Sequence, residues 1–349
     1  MTTTEPSELR KTIVDLLESK KIRTFIGWEQ GSNSFRSRPA FMRSPAEAKN
    51  EIFSPACTPC LIRMVIEDLR YPLDKPDDRR PLGIAIRGCD DKGIIELIKD
   101  RRIERDDVYV VGVDCPGVVD WEKAKTLMRE GVLGQNDLTE GELVWKDRKV
   151  VLKCPSEEKR LDADSILMSK CLDCEGHTPR IYDVLIGKDD TRRIPAETPK
   201  AVLDLETKSP DEKHKFWDEV FSDCIRCYAC RNICTFCHCE ECAVDPTGLA
   251  IAPDSTAADK ANRPEWIGRD STGSSNGFYL ITRAYHGTGR CITCEECDRG
   301  CPMRLPLRLL NRKVRKDAKE MFDYEAGKNV DDKTFFGDTC DTDPGDFIW

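Results

Sequence analysis

Apolar and polar positions keep two different periods in the two halves of the chain. Leu82 to Arg87 (LGIAIR) and Val108 to Val113 (VYVVGV) are near-continuous apolar runs of strand length, and between them Asp90 to Arg102 carries Ile94, Ile95, Leu97 and Ile98 at helical spacing. This is a βαβ unit, and runs of this kind belong to parallel strands covered on both faces. Leu61 to Leu69 is a further apolar helical stretch. Glu142 to Trp145 and Val150 to Leu152 flank Lys146-Asp147-Arg148-Lys149, the pattern of a hairpin that ends at Cys154-Pro155. From 188 to 212 the chain is polar, contains proline and has no clear period, as linkers do. Beyond it the period is helical: Phe216, Trp217, Val220 and Phe221, then Phe278, Ile281 and Tyr285, then Leu307, Leu310, Val314, Ala318 and Met321. The pattern predicts an α/β domain over 1–187, a linker over 188–212, a helical domain over 213–330 and a tail over 331–349.

Composition narrows the chemistry. The chain has nineteen cysteines in 349 residues, 34% charged residues and a net charge of −9. Met1 to Arg23 lacks the apolar core and small-residue cleavage site of a secretory signal, and no run approaches the eighteen apolar residues of a membrane span. The expectation is a cytoplasmic protein with reduced thiols serving as ligands. An acidic balance argues against nucleic acid, which needs a clustered basic surface. The short basic stretch Arg308 to Lys319 reads as the solvated face of a helix.

The cysteines explain themselves by spacing. Cys224, Cys227, Cys230 and Cys234 form a C-x2-C-x2-C-x3-C run, and Cys291, Cys294, Cys297 and Cys301, with Pro302 behind, form a second. Such runs hold 4Fe-4S cubanes, and in two-cluster proteins the fourth cysteine of each run ligates the other cluster. The expected sets are therefore Cys224, Cys227, Cys230 with Cys301, and Cys291, Cys294, Cys297 with Cys234. Zinc modules also use C-x2-C pairs but part them with a long spacer. Together with the surrounding helices this gives the expected fold: an α/β N-terminal domain with parallel strands joined to a mainly helical dicluster ferredoxin-like domain.

Other cysteines point to further sites. Parallel sheets place their chemistry beyond the carboxyl ends of the strands, where Cys89 and Cys115 both fall. Cys89 opens a helix, where amide dipoles favour a thiolate, although cysteine is also a common packing residue. Cys115 and Cys154 with the pair Cys171 and Cys174 would supply a third cluster, and zinc accepts the same four thiolates. Cys89 is the first substitute among these ligands, then Cys57 with Cys60; Cys89 is equally a candidate neighbour of a flavin. Between the runs lie residues 235 to 290, longer than a compact two-cluster ferredoxin needs. There Cys237, Cys239 and Cys242 offer additional ligands, His238 reads as an outer-sphere or surface residue, and Asp270 to Ser275 reads as flexible.

The stretch Cys224 to Cys242, then Arg283-Ala-Tyr-His286, then Cys291 to Met303 and Pro306 to Asn311, resembles the iron-sulfur region of the beta-subunit family of coenzyme F420-reducing hydrogenases and F420-dependent formate dehydrogenases. Arg87 to Ile98 with Val111 to Asp120 looks like that family's N-terminal part. The resemblance covers most of residues 80 to 330. It implies an electron-transfer subunit beside a catalytic redox partner, such as a formate dehydrogenase, hydrogenase or heterodisulfide-reductase-like protein, and other iron-sulfur or flavin subunits. It also implies FAD as a candidate cofactor, although no G-x-G-x-x-G fingerprint is present. Thr235 stands after Cys234 where proline is usual, which leaves a backbone donor near that cluster. The alternatives are a wire of clusters, a flavin enzyme exchanging hydride with F420 or NAD(P)H, and a zinc-stabilised scaffold. The charged tail from Asp338 ends in Phe347-Ile348-Trp349, an aromatic end suited to docking a partner.

Overall fold

The computed structural model describes residues 7–70, 78–155, 157–189, 198–239, 242, 244, 256, 267–268 and 270–336. The predicted docking tail lies outside them. The chain divides into two units, 1–197 and 198–349.

The first unit is built on a five-stranded mixed sheet. Strands β1 (Thr24–Gln30), β2 (Ser37–Met42), β3 (Leu82–Ile86) and β4 (Val108–Val113), with a last strand Val184–Ile186, lie in the order β2, β1, β3, β4, then Val184–Ile186. β1 runs antiparallel to β2 and parallel to β3, β3 is parallel to β4, and β4 is parallel to Val184–Ile186. Every residue of β3 and β4 is buried, as near-continuous apolar runs require. The helix between them, Asp91–Lys99, is short of the predicted span and almost wholly buried. Its Gly93 permits close packing on helix Ile62–Arg70, since a Cβ there would meet Ile62 Cγ1 at 2.8 Å.

A second, antiparallel sheet holds β5 (Glu142–Lys146), β6 (Lys149–Lys153) and β7 (Glu158–Arg160) in that order. Asp147 and Arg148 make the β5–β6 turn in left-handed conformation, with φ of 52° and 61°, which matches the turn twist to the strands. Leu143, Val150 and Leu152 pack inward with Leu138 and Leu161. The final strand of the main sheet, Val184–Ile186, is β8.

The second unit is helical. The segment predicted as a linker contributes helix Lys200–Glu206, with Val202 and Leu205 buried and the Glu206 carboxylate 2.8 Å from Lys316 Nζ. Only two apolar side chains anchor this helix, too few to give a visible period. Helix Pro210–Ser222 starts with a reciprocal cap between Ser209 and Glu212 and a proline at its first turn. Helix Gly273–His286 begins at Thr272, whose hydroxyl accepts from the Ser275 amide, so part of the serine-rich stretch expected to be flexible is a helix start. Helix Leu307–Phe322 has the predicted bounds. Its basic stretch is not simply solvated: Arg308 is buried, and Lys313, Arg315 and Lys316 pair with Glu206, Asp317, Glu320 or Glu325. Among the described residues no helix is long and apolar enough to cross a membrane.

Candidate metal centres

In the first unit, β3 ends in Arg87-Gly88-Cys89 and β4 in Asp114-Cys115-Pro116-Gly117. A loop after helix Ser169–Leu172 is stitched to both ends. The Gly88 and Cys115 amides donate to the His177 carbonyl at 3.3 and 3.2 Å, and His177 Nδ1 meets the Cys115 carbonyl at 2.9 Å. Gly88 is required for this approach, because a Cβ there would lie 2.2 Å from the Gly176 carbonyl oxygen. The result is a cavity walled by Cys89, Cys115, Cys171 and Cys174, with Arg87 and Lys170. The Val118 amide lies 3.4 Å from Cys171 Sγ.

Cys154 does not line this cavity. Its Sγ donates to Asp137 Oδ1 at 2.9 Å beside the three-stranded sheet, and burial followed by that bond pushes the thiol up to about 11. The hairpin's end was legible, but not the side to which its last side chain turns. Cys57 and Cys60 are buried away from the cavity, and burial holds the Cys57 thiol up at about 12. What their loop supplies is backbone. The Arg87 guanidinium, itself buried, donates to the Cys57 carbonyl at 2.6 Å and to the Pro59 carbonyl at 3.2 Å, pairs with Asp90 at 2.7 Å and faces the Trp28 ring. At Cys89 burial, followed by the neighbouring Asp90 charge, drives the thiol well above its ordinary range. The same cause raises Cys115. A thiolate at either position needs a compensating cation.

In the second unit the two runs follow one backbone path. Arg226 and Tyr228 have φ of 55° and 61°, and Thr293 and Glu295, at the same offsets in the other run, have 56° and 67°. Left-handed non-glycine residues cost of order 1 kcal/mol each and persist where the surroundings over-determine them. In both loops the backbone turns inward, so that the Arg226 amide donates to Cys224 and the Thr293 amide to Cys291.

Two cavities result. One is lined by Cys224, Cys227, Cys230 and Cys301. The other is lined by Cys234, Cys291, Cys294 and Cys297 and also by Cys237 and Cys242. Cys239 lines neither. Cys237 donates a hydrogen bond to Cys234, which, with the nearby charge of Arg283, holds Cys234 well below the ordinary thiol range and raises Cys237. His238 is buried. Each cavity is ringed rather than closed: among the described residues no three Cys, His, Asp or Glu side chains stand close enough to grip a single metal ion.

One helix holds the first loop at both ends. From Gly273–His286, the Asn276 amide donates to the Cys224 carbonyl at 2.8 Å and to the Phe221 carbonyl at 3.0 Å, while the Arg283 guanidinium donates to the Cys230 carbonyl at 2.8 Å. Tyr279, on the same face, lines both cavities. Neither Asn276 nor Tyr279 is marked by any motif; both emerge only from helical spacing around Arg283.

A mixed α/β unit with four thiols around one cavity beside its strand ends, followed by a helical unit with two cysteine loops of one geometry, places the chain among cysteine-rich two-unit proteins. Among known proteins the chain is similar to the beta subunit of an F420-dependent formate dehydrogenase from Methanocaldococcus jannaschii, 20% identical over 361 residues and 89% of each chain. It is also similar to the beta subunit of F420-dependent formate dehydrogenase 1 from Methanococcus maripaludis, 23% identical over 282 residues, which are 66% of this chain and 71% of the relative. Both relatives are named as beta subunits of F420-dependent formate dehydrogenases, in keeping with the resemblance carried by the cysteine runs. A chain of the F420-reducing [NiFe] hydrogenase complex from Methanosarcina barkeri aligns over 62% of this chain and 86% of its own length, with a TM-score of 0.41 and 14% identity. No protein-family profile matches the sequence.

Proposed function

We propose that the chain is the iron-sulfur subunit of a multi-subunit cytoplasmic redox complex, passing single electrons between a catalytic subunit and a second carrier. One observation carries this reading: each of the two crossed sets of four cysteines expected from the spacing lines one cavity of the helical unit. The donor chemistry fits 4Fe-4S clusters, which are held by four thiolates, and the paired left-handed turns are the strain expected of loops shaped around a group. When bound, such clusters supply one-electron transfer. The first would be held by Cys224, Cys227, Cys230 and Cys301, the second by Cys291, Cys294, Cys297 and Cys234 with Cys237 as hydrogen-bond donor to Cys234. A third would be held at the strand ends by Cys89, Cys115, Cys171 and Cys174, so that Cys89 replaces Cys154 in the set.

The relatives are named for F420, a hydride carrier, and converting a hydride to single electrons calls for a flavin. In a flavin-holding version of this reading the α/β unit is the binding domain, and a yellow chromophore is released on denaturation.

The test is metal analysis with paramagnetic resonance on anaerobically prepared chain. About twelve iron atoms per chain are expected, three cubanes of this ligand type. Zinc in their place, or fewer than about eight iron atoms, would overturn the proposal.

A further inference from the structure

Between the two cavities of the helical unit lie polar groups that packing does not account for. Tyr279 is 1% exposed and lines both cavities, yet its hydroxyl has no hydrogen-bond partner among the described residues. A buried hydroxyl left so costs about 1–3 kcal/mol. One helical turn on, Arg283 is 9% exposed, and its Nε also has no partner among the described residues. Its guanidinium donates to the Cys230 carbonyl on the first loop and to the Cys237 sulfur, while the side chain lines the second cavity. No carboxylate among the described residues pairs with it; the groups its charge faces are Cys237, Cys234, Cys230 and Cys297. Burying a guanidinium is tolerated when a negative group nearby offsets the loss of hydration. Here sulfurs from both runs face it, and a bound cluster would supply the negative charge.

We propose that Tyr279 and Arg283 form a polar bridge between the two cluster sites, Tyr279 donating a hydrogen bond to cluster sulfur and Arg283 serving as the buried counter-cation of both sites. The inference rests on the iron-sulfur reading of these cavities. Taking up one electron adds one negative charge to a site, so a fixed positive charge and a donor beside it favour reduction, and hydrogen bonds to sulfur and net charge are among the levers that set cluster potential. Both residues are positioning residues: they act on the sulfur environment and ligate nothing.

The experiment is a redox titration of the full chain, with dithionite as reductant and both clusters followed by paramagnetic resonance, for wild type, Tyr279→Phe, Arg283→Gln and Arg283→Lys. Arg283→Gln is expected to lower the reduced-to-oxidised ratio of both clusters at fixed poise by about tenfold, equivalent to about 59 mV for one electron. Arg283→Lys restores most of it, because it keeps the charge. Tyr279→Phe removes only a hydroxyl with no partner among the described residues, so a purely structural role predicts no change in potential, whereas the bridge predicts that at least one cluster becomes harder to reduce. If Arg283→Gln loses its iron, Tyr279→Phe decides. Fully loaded variants with wild-type potentials overturn the bridge, while a wild-type chain with no pair of cluster signals overturns the iron-sulfur reading itself.

Discussion

Cys89 and Cys154 separate what spacing can tell from what it cannot. Both lie near the sheet ends in sequence, yet only Cys89 faces the cavity with Cys115, Cys171 and Cys174, because the last side chain of the β6 hairpin turns to Asp137. Cys89→Ser is therefore expected to remove about four of the iron atoms found in wild type, and Cys154→Ser none, by metal analysis of the two variants. Gly88→Ala should act like Cys89→Ser, since the added methyl collides with the Gly176 carbonyl and pushes the Cys174 loop away. At Glu51 the consequence is one of pH. The carboxylate accepts from Ser7 Oγ at 2.9 Å, but burial dominates and raises it from 4.5 to about 7. The folded chain thus keeps a proton that the unfolded chain releases above pH 4.5. Stability falls as pH rises through that window, by about 3 kcal/mol once pH exceeds 7. Glu51→Gln should flatten this slope in denaturant titrations at pH 5 and pH 8; an unchanged slope would show that Glu51 is not its source.

Among the elements, helix Gly273–His286 does the most positioning with the least sequence signal. Its apolar period was readable, but Asn276 was not. Replacing Asn276 by Leu leaves the Cys224 carbonyl without its Asn276 donor and the Arg226 guanidinium without its Asn276 acceptor, a cost of about 1–3 kcal/mol, and frees the first cysteine loop. The expected result is a chain that retains helical circular dichroism while the signal of the Cys224 cluster weakens before that of the Cys291 cluster; equal loss of both would refute the clamp. The same contrast runs through the fold. β3, β4, the β5–β6 hairpin and helix Leu307–Phe322 were legible because long apolar runs or sustained periods leave few alternatives. β1 and β2 form without a clean alternation, since β1 is buried along most of its length and β2 is a partly exposed edge strand containing Pro39. Helix Lys200–Glu206 is short and was hidden by the polar residues around it. The cysteines that line each cavity were legible for a different reason: three short gaps in a row constrain where thiols can go far more tightly than any propensity does.

At the scale of the whole molecule both units pack aliphatic and aromatic cores, and in the second the cysteines of the proposed clusters lie within that packing. The first has cores of aliphatic and aromatic side chains, from Leu127, Leu143 and Leu152 around the small sheet to the wholly buried β3 and β4. In the second, Cys230 is part of the core itself, and Cys224, Cys242, Cys297 and Cys301 pack against it. Four of these five belong to the proposed cluster sets, so metal bound there would be part of the folding free energy, as it is wherever ligands cannot be pre-assembled in an unfolded chain. Stripping the metal should then leave the first unit folded by its sheet while the second loses its packing. Limited proteolysis of metal-free chain is expected to leave a resistant fragment ending near residue 197, the boundary between the units, and to digest residues 198–349, whereas the loaded chain resists throughout. A second unit that resists protease equally with and without metal would mean that its helices hold one another without the clusters, and that its cysteines are guests in a fold rather than part of its core.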